Sequence, residues 1–308
     1  LAGNVANLSS VLTVTIDSIA PTAPVVTSVS PSVVAGTAEA TSIVDLFDGA
    51  TKIGTTTADG SGVWSIPIAL GAGSHALTAT ASDVAGNTSA ASETSGVVTG
   101  TAGNDVLFAP GPDLAVGGAG NDVYLVDHVD DRPTEAVGEG FDTVYASVGY
   151  TLPDASEIEF LIANAGATGL ALTGNAFANT IFGGGGDDTI AGGGGADMLF
   201  GGLGADVFAL LALTDSTVDP TGQDIIGDFS ALAGDLIGLS AIDANSLLGG
   251  NQAFAFIGDA AFSAAGQVRA EIVGGMTVVS GDVNGDGSAD FALRLTGAHT
   301  LNAGNFIL

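Results

Sequence analysis

The chain has 308 residues, with 34 Asp or Glu against four Lys or Arg and a formal charge of −30. Nucleic acid is excluded as a partner, because a phosphate backbone needs basic side chains and only Lys52, Arg132, Arg269 and Arg294 exist. An anionic membrane surface repels the chain for the same reason. Self-repulsion opposes the compact state unless a cation neutralises it. With no cysteine, neither disulfides nor thiolate metal sites staple the fold. No run reaches the roughly 18 apolar residues of a membrane span. Leu1 is not a methionine and Leu1-Ala2-Gly3-Asn4 is not a signal peptide, so a piece of a longer protein is expected.

Residues 21–99 read as a β-sandwich. Val25 to Val29, Ile43 to Phe47, Trp64 to Ile68 and Ala76 to Ala81 are short strand patterns rich in Val, Ile and Thr. Asp48-Gly49 and Asp59-Gly60 read as hairpin turns. Ala2-Gly3-Asn4 recurs as Ala85-Gly86-Asn87, and Val14 maps to Val97 at the same offset of 83 residues. Residues 1–20 are therefore expected to be the end of a preceding copy, with Asp17 to Pro21 as linker. That linker, Asp59 to Trp64 and Ser82 to Asn87 resemble the tandem bacterial immunoglobulin-like domains of surface adhesins. The resemblance implies calcium at Asp17 and Asp83. The plainer and preferred reading makes both turn residues that bond their own backbone.

From residue 100 to 212 the texture changes. Gly183 to Ala191, Gly192 to Phe200 and Gly201 to Ala209 repeat G-G-x-G-x-D-x-U-x in unbroken phase, U being a large apolar residue. Gly117 to Leu125 is a further match, Gly100 to Phe108 a looser one, and Gly174 to Phe182 a variant with Asn175 and Asn179. This nonapeptide is a known calcium-binding parallel β-roll pattern. Its chemistry also stands alone: glycines turn the chain and bare its carbonyls, and aspartate adds a hard anionic oxygen. Calcium takes about six to eight oxygens, so stacked loops must share each ion. The expected oxygen donors are Gly117, Ala119 and Asp122; Gly183, Gly185 and Asp188; Gly192, Gly194 and Asp197; Gly201, Leu203 and Asp206; and Asp105. Ile190, Leu199, Phe208, Tyr124 and Leu107 should point inward. With two nonapeptides per turn, Asp188 and Asp206 share one side and Asp197 takes the other. A flexible linker has no reason to keep apolar residues in phase with acids. A phosphate-binding loop would need a lysine that is absent.

These residues resemble the RTX family of calcium-dependent proteins exported by type I secretion. The stretch 126–173 departs from the pattern and resembles that family's spacer strands. Residues 213–308, through Asp224 to Phe229, Gly234 to Ala244, Gly281 to Phe291 and Asn305-Phe306-Ile307-Leu308, resemble the carboxy-terminal module of serralysin-type proteases. That resemblance implies a cap carrying the secretion signal, with Asp224 and Asp228 closing the last calcium site. Asp282, Asn284, Asp286 and Asp290 sit at positions 1, 3, 5 and 9 of an EF-hand-like loop, but position 12 holds no glutamate. A calcium loop and an acidic hairpin turn both fit.

His75, His128 and His299 are isolated, and neither H-E-x-x-H nor G-x-S-x-G occurs, so no catalytic site is expected in this chain. The expected architecture is all-β: sandwich, parallel β-roll, β-rich cap. Its partners are several calcium ions, the type I secretion machinery and a host or cell-surface ligand reached through upstream domains. The parent is read as a secreted adhesin or matrix protein; the tail of a secreted hydrolase and a surface-layer protein remain open.

Overall fold

The computed structural model describes residues 16–308 apart from 109, 110 and 167. The preceding copy expected from Ala2 to Asn4 and Val14 lies outside the described residues. The described residues divide into two compact units, one running up to residue 70 with 75–95 and the other made of residues 71–74 with 96–308. Helix among the described residues is confined to the single turns Pro220–Gly222 and Ala303–Asn305.

The first unit is built from antiparallel strands. Val25–Val29, Val33–Thr37 and Val63–Pro67 form one sheet, and Ile43–Asp48 pairs with both Thr51–Thr57 and Gly73–Ser82. Alternation buries Val44, Leu46, Trp64, Ile66, Leu77 and Ala79 between them. Trp64 needs a bare backbone opposite, because a Cβ on Gly36 would lie 2.7 Å from its ring. Asp48-Gly49 is a hairpin turn as expected, with Gly49 at φ 54°. Asp59-Gly60 is not. It links strands of different sheets, because the Asp59 carboxylate accepts the amides of Ser61 and Val63 and holds a wider loop.

The second unit is a parallel solenoid of very short strands. One face stacks Val106–Leu107, Val123–Val126, Thr143–Ala146, Phe160–Ala163, Thr180–Phe182, Met198–Phe200 and Ile225–Ile226. The opposite face stacks Tyr150–Thr151, Ala171–Thr173, Thr189–Ala191, Val207–Ala209 and Leu236–Gly238. Upstream, residues 96–99, Asp113–Val116 and Arg132–Thr134 form a further parallel sheet. Each strand of these two faces sends a large residue inward, and Val126 adds a second from its strand. Leu107, Tyr124, Val144, Leu161, Ile181, Leu199 and Ile226 line one face and Leu172, Ile190, Phe208 and Ile237 the other, all buried in one core. Each such burial contributes about 1.5–3 kcal/mol. The parallel ladder is unbroken through 126–173, because Val144, Leu161 and Leu172 keep the inward phase there. It also runs on beyond residue 212.

The carboxy-terminal part closes the stack. Gln267–Val273, Met276–Asp282 and Phe291–Leu295 form an antiparallel sheet, whose last strand pairs in parallel with Ile225–Ile226. Phe306–Ile307 pairs with Ile237 and Gly238 and ends the second face.

Candidate metal centre

The nonapeptide positions have distinct backbone duties. Positions 2 and 4 (Gly184 and Gly186, Gly193 and Gly195, Gly202 and Gly204) all have positive φ, which L side chains rarely adopt. Their loops also stack at backbone distance: a Cβ on Gly202 would lie 2.2 Å from Gly184 O, and one on Gly204 2.0 Å from Gly186 O. Position 3 is free of both demands. Gly194 has no neighbour nearer than 3.5 Å to its missing Cβ, and Ala119 and Leu203 occupy the same place, Leu203 largely exposed. Glycine at position 1 is required by a carboxylate. A Cβ would lie 2.3 Å from Asp122 Oδ2 at Gly117, 2.5 Å from Asp188 Oδ2 at Gly183, and 2.2 Å from Asp197 Oδ2 and Asp206 Oδ2 at Gly192 and Gly201.

Those aspartates form two ladders. On one face Asp105 N donates to Asp122 Oδ1 (2.8 Å), Asp122 N to Asp142 Oδ1 (2.8 Å), Asp142 N to Glu159 Oε2 (2.7 Å), Asn179 N to Asp197 Oδ1 (2.7 Å) and Asp197 N to Asp224 Oδ1 (3.0 Å). On the other, Leu170 N donates to Asp188 Oδ1 (2.6 Å), Asp188 N to Asp206 Oδ1 (2.9 Å) and Asp206 N to Asp235 Oδ1 (3.1 Å). Asp188 and Asp206 thus share one side and Asp197 takes the other, as the 18-residue period requires. Each carboxylate spends one oxygen on the coil before it. The second oxygen of Asp122, Asp188, Asp197 and Asp206 is buried without a partner.

At three first positions a glycine carbonyl of the next coil also approaches. The missing Cβ of Gly183 is 2.7 Å from Gly201 O, that of Gly174 2.1 Å from Gly192 O, and that of Gly100 2.3 Å from Gly117 O. Gly183 therefore sits between its own repeat's acid and the Gly201 carbonyl one coil on, and Gly100 and Gly174 sit likewise between Asp105 or Asn179 and the carbonyls of Gly117 or Gly192. Oxygen-only donors, anionic and buried without a counter-charge, fit a hard cation of flexible coordination, which is calcium's chemistry. Without a cation the charge is costly. Burial, then neighbouring acids, pushes Asp188 up to about 6 and Asp142 up to about 6. Burial likewise raises Asp122, Asp206 and Asp197, and raises Asp224 with help from the charge of Asp197.

Comparison with known families agrees with this chemistry. The RTX calcium-binding nonapeptide repeat matches residues 92–109, 110–125 and 173–208. The bacterial Ig-like domain matches residues 23–99. This chain carries RTX calcium-binding repeats and a bacterial Ig-like domain. No curated protein matches it. Among solved structures it is similar to the AlgE6R3 subunit of the Azotobacter vinelandii mannuronan C5-epimerase, with 29% identity, 48% of this chain and 77% of that one covered, and a TM-score of 0.35. The AlgE6R2 subunit of the same enzyme matches at 25% identity over 48% of this chain and 86% of that one, with a TM-score of 0.36.

Not every expected residue of the RTX region joins the ladders in the same way. Asp105 Oδ2 accepts the amide (2.6 Å) and hydroxyl (2.8 Å) of Thr101, which stands where other repeats have the second glycine. Those bonds hold its carboxyl below the usual range. Asp228 accepts Gly201 N and Gly202 N, each at 2.9 Å, and so clamps the last repeat's loop. The Asp282 carboxylate accepts Asn284 N, Gly285 N and Gly287 N, while Asp290 accepts Val283 N and the Asn284 side chain. Asp286 accepts Ser288 N, so this loop's acids are engaged by its own backbone. In the Ig-like unit Asp83 accepts the amides of Ala85 and Asn87, and Asp17 accepts Ile19 N, which is the geometry of turn residues.

Asp142, Glu159 and Asp235 are ladder members that the nonapeptide search passes over. Gly138-Glu139-Gly140-Phe141-Asp142-Thr143-Val144 keeps positions 2, 4, 6 and 8 of the pattern and loses only the first glycine. Glu159 and Asp235 carry no such motif. Their signal is an acid directly ahead of an apolar strand residue.

Proposed function

We propose that residues 100–308 are a calcium-dependent folding module at the exported end of a cell-surface adhesin or matrix protein. The observation that carries it is the row of buried, partnerless carboxylate oxygens of Asp122, Asp188, Asp197 and Asp206 beside the first-position glycines, joined at Gly183 by the Gly201 carbonyl one coil on. Asp122, Asp188, Asp197, Asp206 and Asp224 would hold the ions, with carbonyls of Gly117, Gly192 and Gly201 completing the shells. The ions supply neutralising charge and join neighbouring coils.

Where calcium is scarce, these acids repel one another and the glycine-rich chain retains its entropy. It then passes through a type I secretion channel, its carboxy-terminal residues serving as signal. Outside the cell, binding free energy becomes folding free energy. The Ig-like unit ahead of the roll is the kind of stalk element from which an adhesin presents a ligand-binding end. RTX repeat proteins are typically secreted, and no helix among the described residues is long and apolar enough to cross a membrane.

Far-UV circular dichroism during a calcium titration, with magnesium as control, tests this function. A cooperative gain of β signal with calcium alone supports the reading. A fully folded spectrum in chelator, unchanged by calcium, removes it.

A further inference from the structure

Three acids from separate segments converge at the upstream end of the roll. Asp122 belongs to the repeat 117–125, Glu135 follows the strand Arg132–Thr134, and Asp142 precedes Thr143–Ala146. One carboxylate oxygen of each lies within 4.8 Å of the others. All three residues are at most 2% exposed. Asp122 Oδ2 and Glu135 Oε2 have no hydrogen-bond partner. Among the described residues no Lys, Arg or His forms an ion pair with any of them.

The surroundings aim these oxygens at one point. A Cβ on Gly117 would lie 2.1 Å from Glu135 Oε1 and 2.3 Å from Asp122 Oδ2, so the backbone closes one side directly over the acids. Tyr124, the inward residue of the same repeat, receives Gly117 N at 2.8 Å and donates its hydroxyl to Glu135 Oε1. The phenol thereby fixes one glutamate oxygen and leaves the other free. Asp142 Oδ1 is anchored by Asp122 N at 2.8 Å.

We propose that Asp122, Glu135 and Asp142 hold a calcium ion at a mixed site, in which Glu135 supplies a ligand that no nonapeptide position provides. Three ionised carboxylates buried without counter-charge are far outside what a protein interior tolerates unless a cation joins them or protons neutralise them. The donors are all hard oxygens. The site is buried, which disfavours magnesium because that ion keeps several waters. The proposal rests on the calcium reading of the repeats for Asp122 alone, since Glu135 and Asp142 lie outside the residues matched by the repeat family. The spacer then acts as a ligand-bearing part of the roll.

Calcium bound per chain is counted by equilibrium dialysis for the whole protein, for Glu135→Gln and for Asp188→Asn/Asp206→Asn. Glu135→Gln is expected to bind one ion fewer, and the double variant to lose its own ions while keeping this one. Equal counts for Glu135→Gln and the parent overturn the proposal. If the parent binds no calcium at all, the reading of the repeats fails as well, so the two failures are distinct. Should Glu135→Gln not fold, terbium luminescence excited through tyrosine decides. Tyr124→Phe keeps the ring and is expected to cut the sensitised emission severalfold, whereas Tyr145→Phe leaves most of it. Emission unchanged in Tyr124→Phe overturns the site.

Discussion

The amide of Asp188 donates to Asp206 Oδ1 at 2.9 Å across one full coil, and the Oδ2 atoms of both residues stay buried with nothing to accept from. One half of each carboxylate builds the roll, and the other half is the oxygen that the proposed calcium ion would take.

Replacing both residues by asparagine separates those roles. An amide oxygen still accepts the neighbouring N–H, and the charge is gone. Asp188→Asn/Asp206→Asn is expected to fold at least as well as the parent in chelator. It should need roughly tenfold or more calcium for its remaining transition, an order-of-magnitude loss equal to about 1.4 kcal/mol. Calorimetric titration together with thermal melts in chelator checks both parts. The natural asparagine at this repeat position, Asn179, bonds differently: its Oδ1 accepts Asn175 N of its own repeat and its Nδ2 donates to Ile158 O on the coil before.

The stability of the metal-free roll should fall as pH rises. Burial lifts Asp142 and Asp188 to about 6 and Glu135 to about 8. The folded state therefore holds protons more tightly than the unfolded chain, whose carboxyls titrate near about 4. This stabilisation is full below the unfolded values and is lost as pH climbs through about 6 and then about 8. With calcium the slope reverses, because the ligands must be deprotonated. Melting temperatures measured from pH 4 to 9, in chelator and in excess calcium, should cross. The Ig-like unit has the opposite sign at Asp48, whose carboxyl is held low by its hydrogen bond to His75, so its contribution is lost only in acid.

Glycine positions should differ sharply in tolerance. Gly202→Ala meets both a φ of +92° and Gly184 O at 2.2 Å. It is expected to cost about 1–3 kcal/mol or more from the backbone alone. Gly194→Ala meets neither obstacle and should be nearly neutral, since Ala119 occupies the matching place. Denaturant melts in saturating calcium compare the pair.

Asp105→Asn should leave the number of bound ions unchanged. Its Oδ2 is already taken by the amide and hydroxyl of Thr101. Dialysis with the intact chain reads this, and one ion fewer would make Asp105 a ligand after all.

Much of this was legible in the sequence because nonapeptide positions map onto separate physical demands. The phase of Ile190, Leu199 and Phe208 fixed the inward stack, and the spacing of Asp188, Asp197 and Asp206 fixed which acids share a face. What escaped was everything defined by neighbours one coil away. Glu135 has no motif, and its meaning comes from Tyr124 and Asp142, brought beside it by the coil rather than by spacing. Asp59-Gly60 misled for a similar reason: the dipeptide fits a hairpin, but the strand after it pairs with Val33–Thr37 rather than with the strand before.

The ladders have a direction. In every rung the N–H belongs to the earlier coil and the carboxylate to the later one. The series ends on bonds internal to its last coils, where Ser216 Oγ receives Asp224 N and Ser230 O receives Asp235 N. Backbone bonds run the other way, Thr189 N donating to Leu170 O and Val207 N to Asp188 O, so trimming coils from the amino-terminal side spares the carboxylate rungs but strands strand amides in what is left. Trimming from the carboxy-terminal side strips acceptors and leaves a bare buried N–H at each new end. Side-chain rungs and backbone rungs thus point in opposite directions, and each interior coil is tied to both of its neighbours by donors of its own.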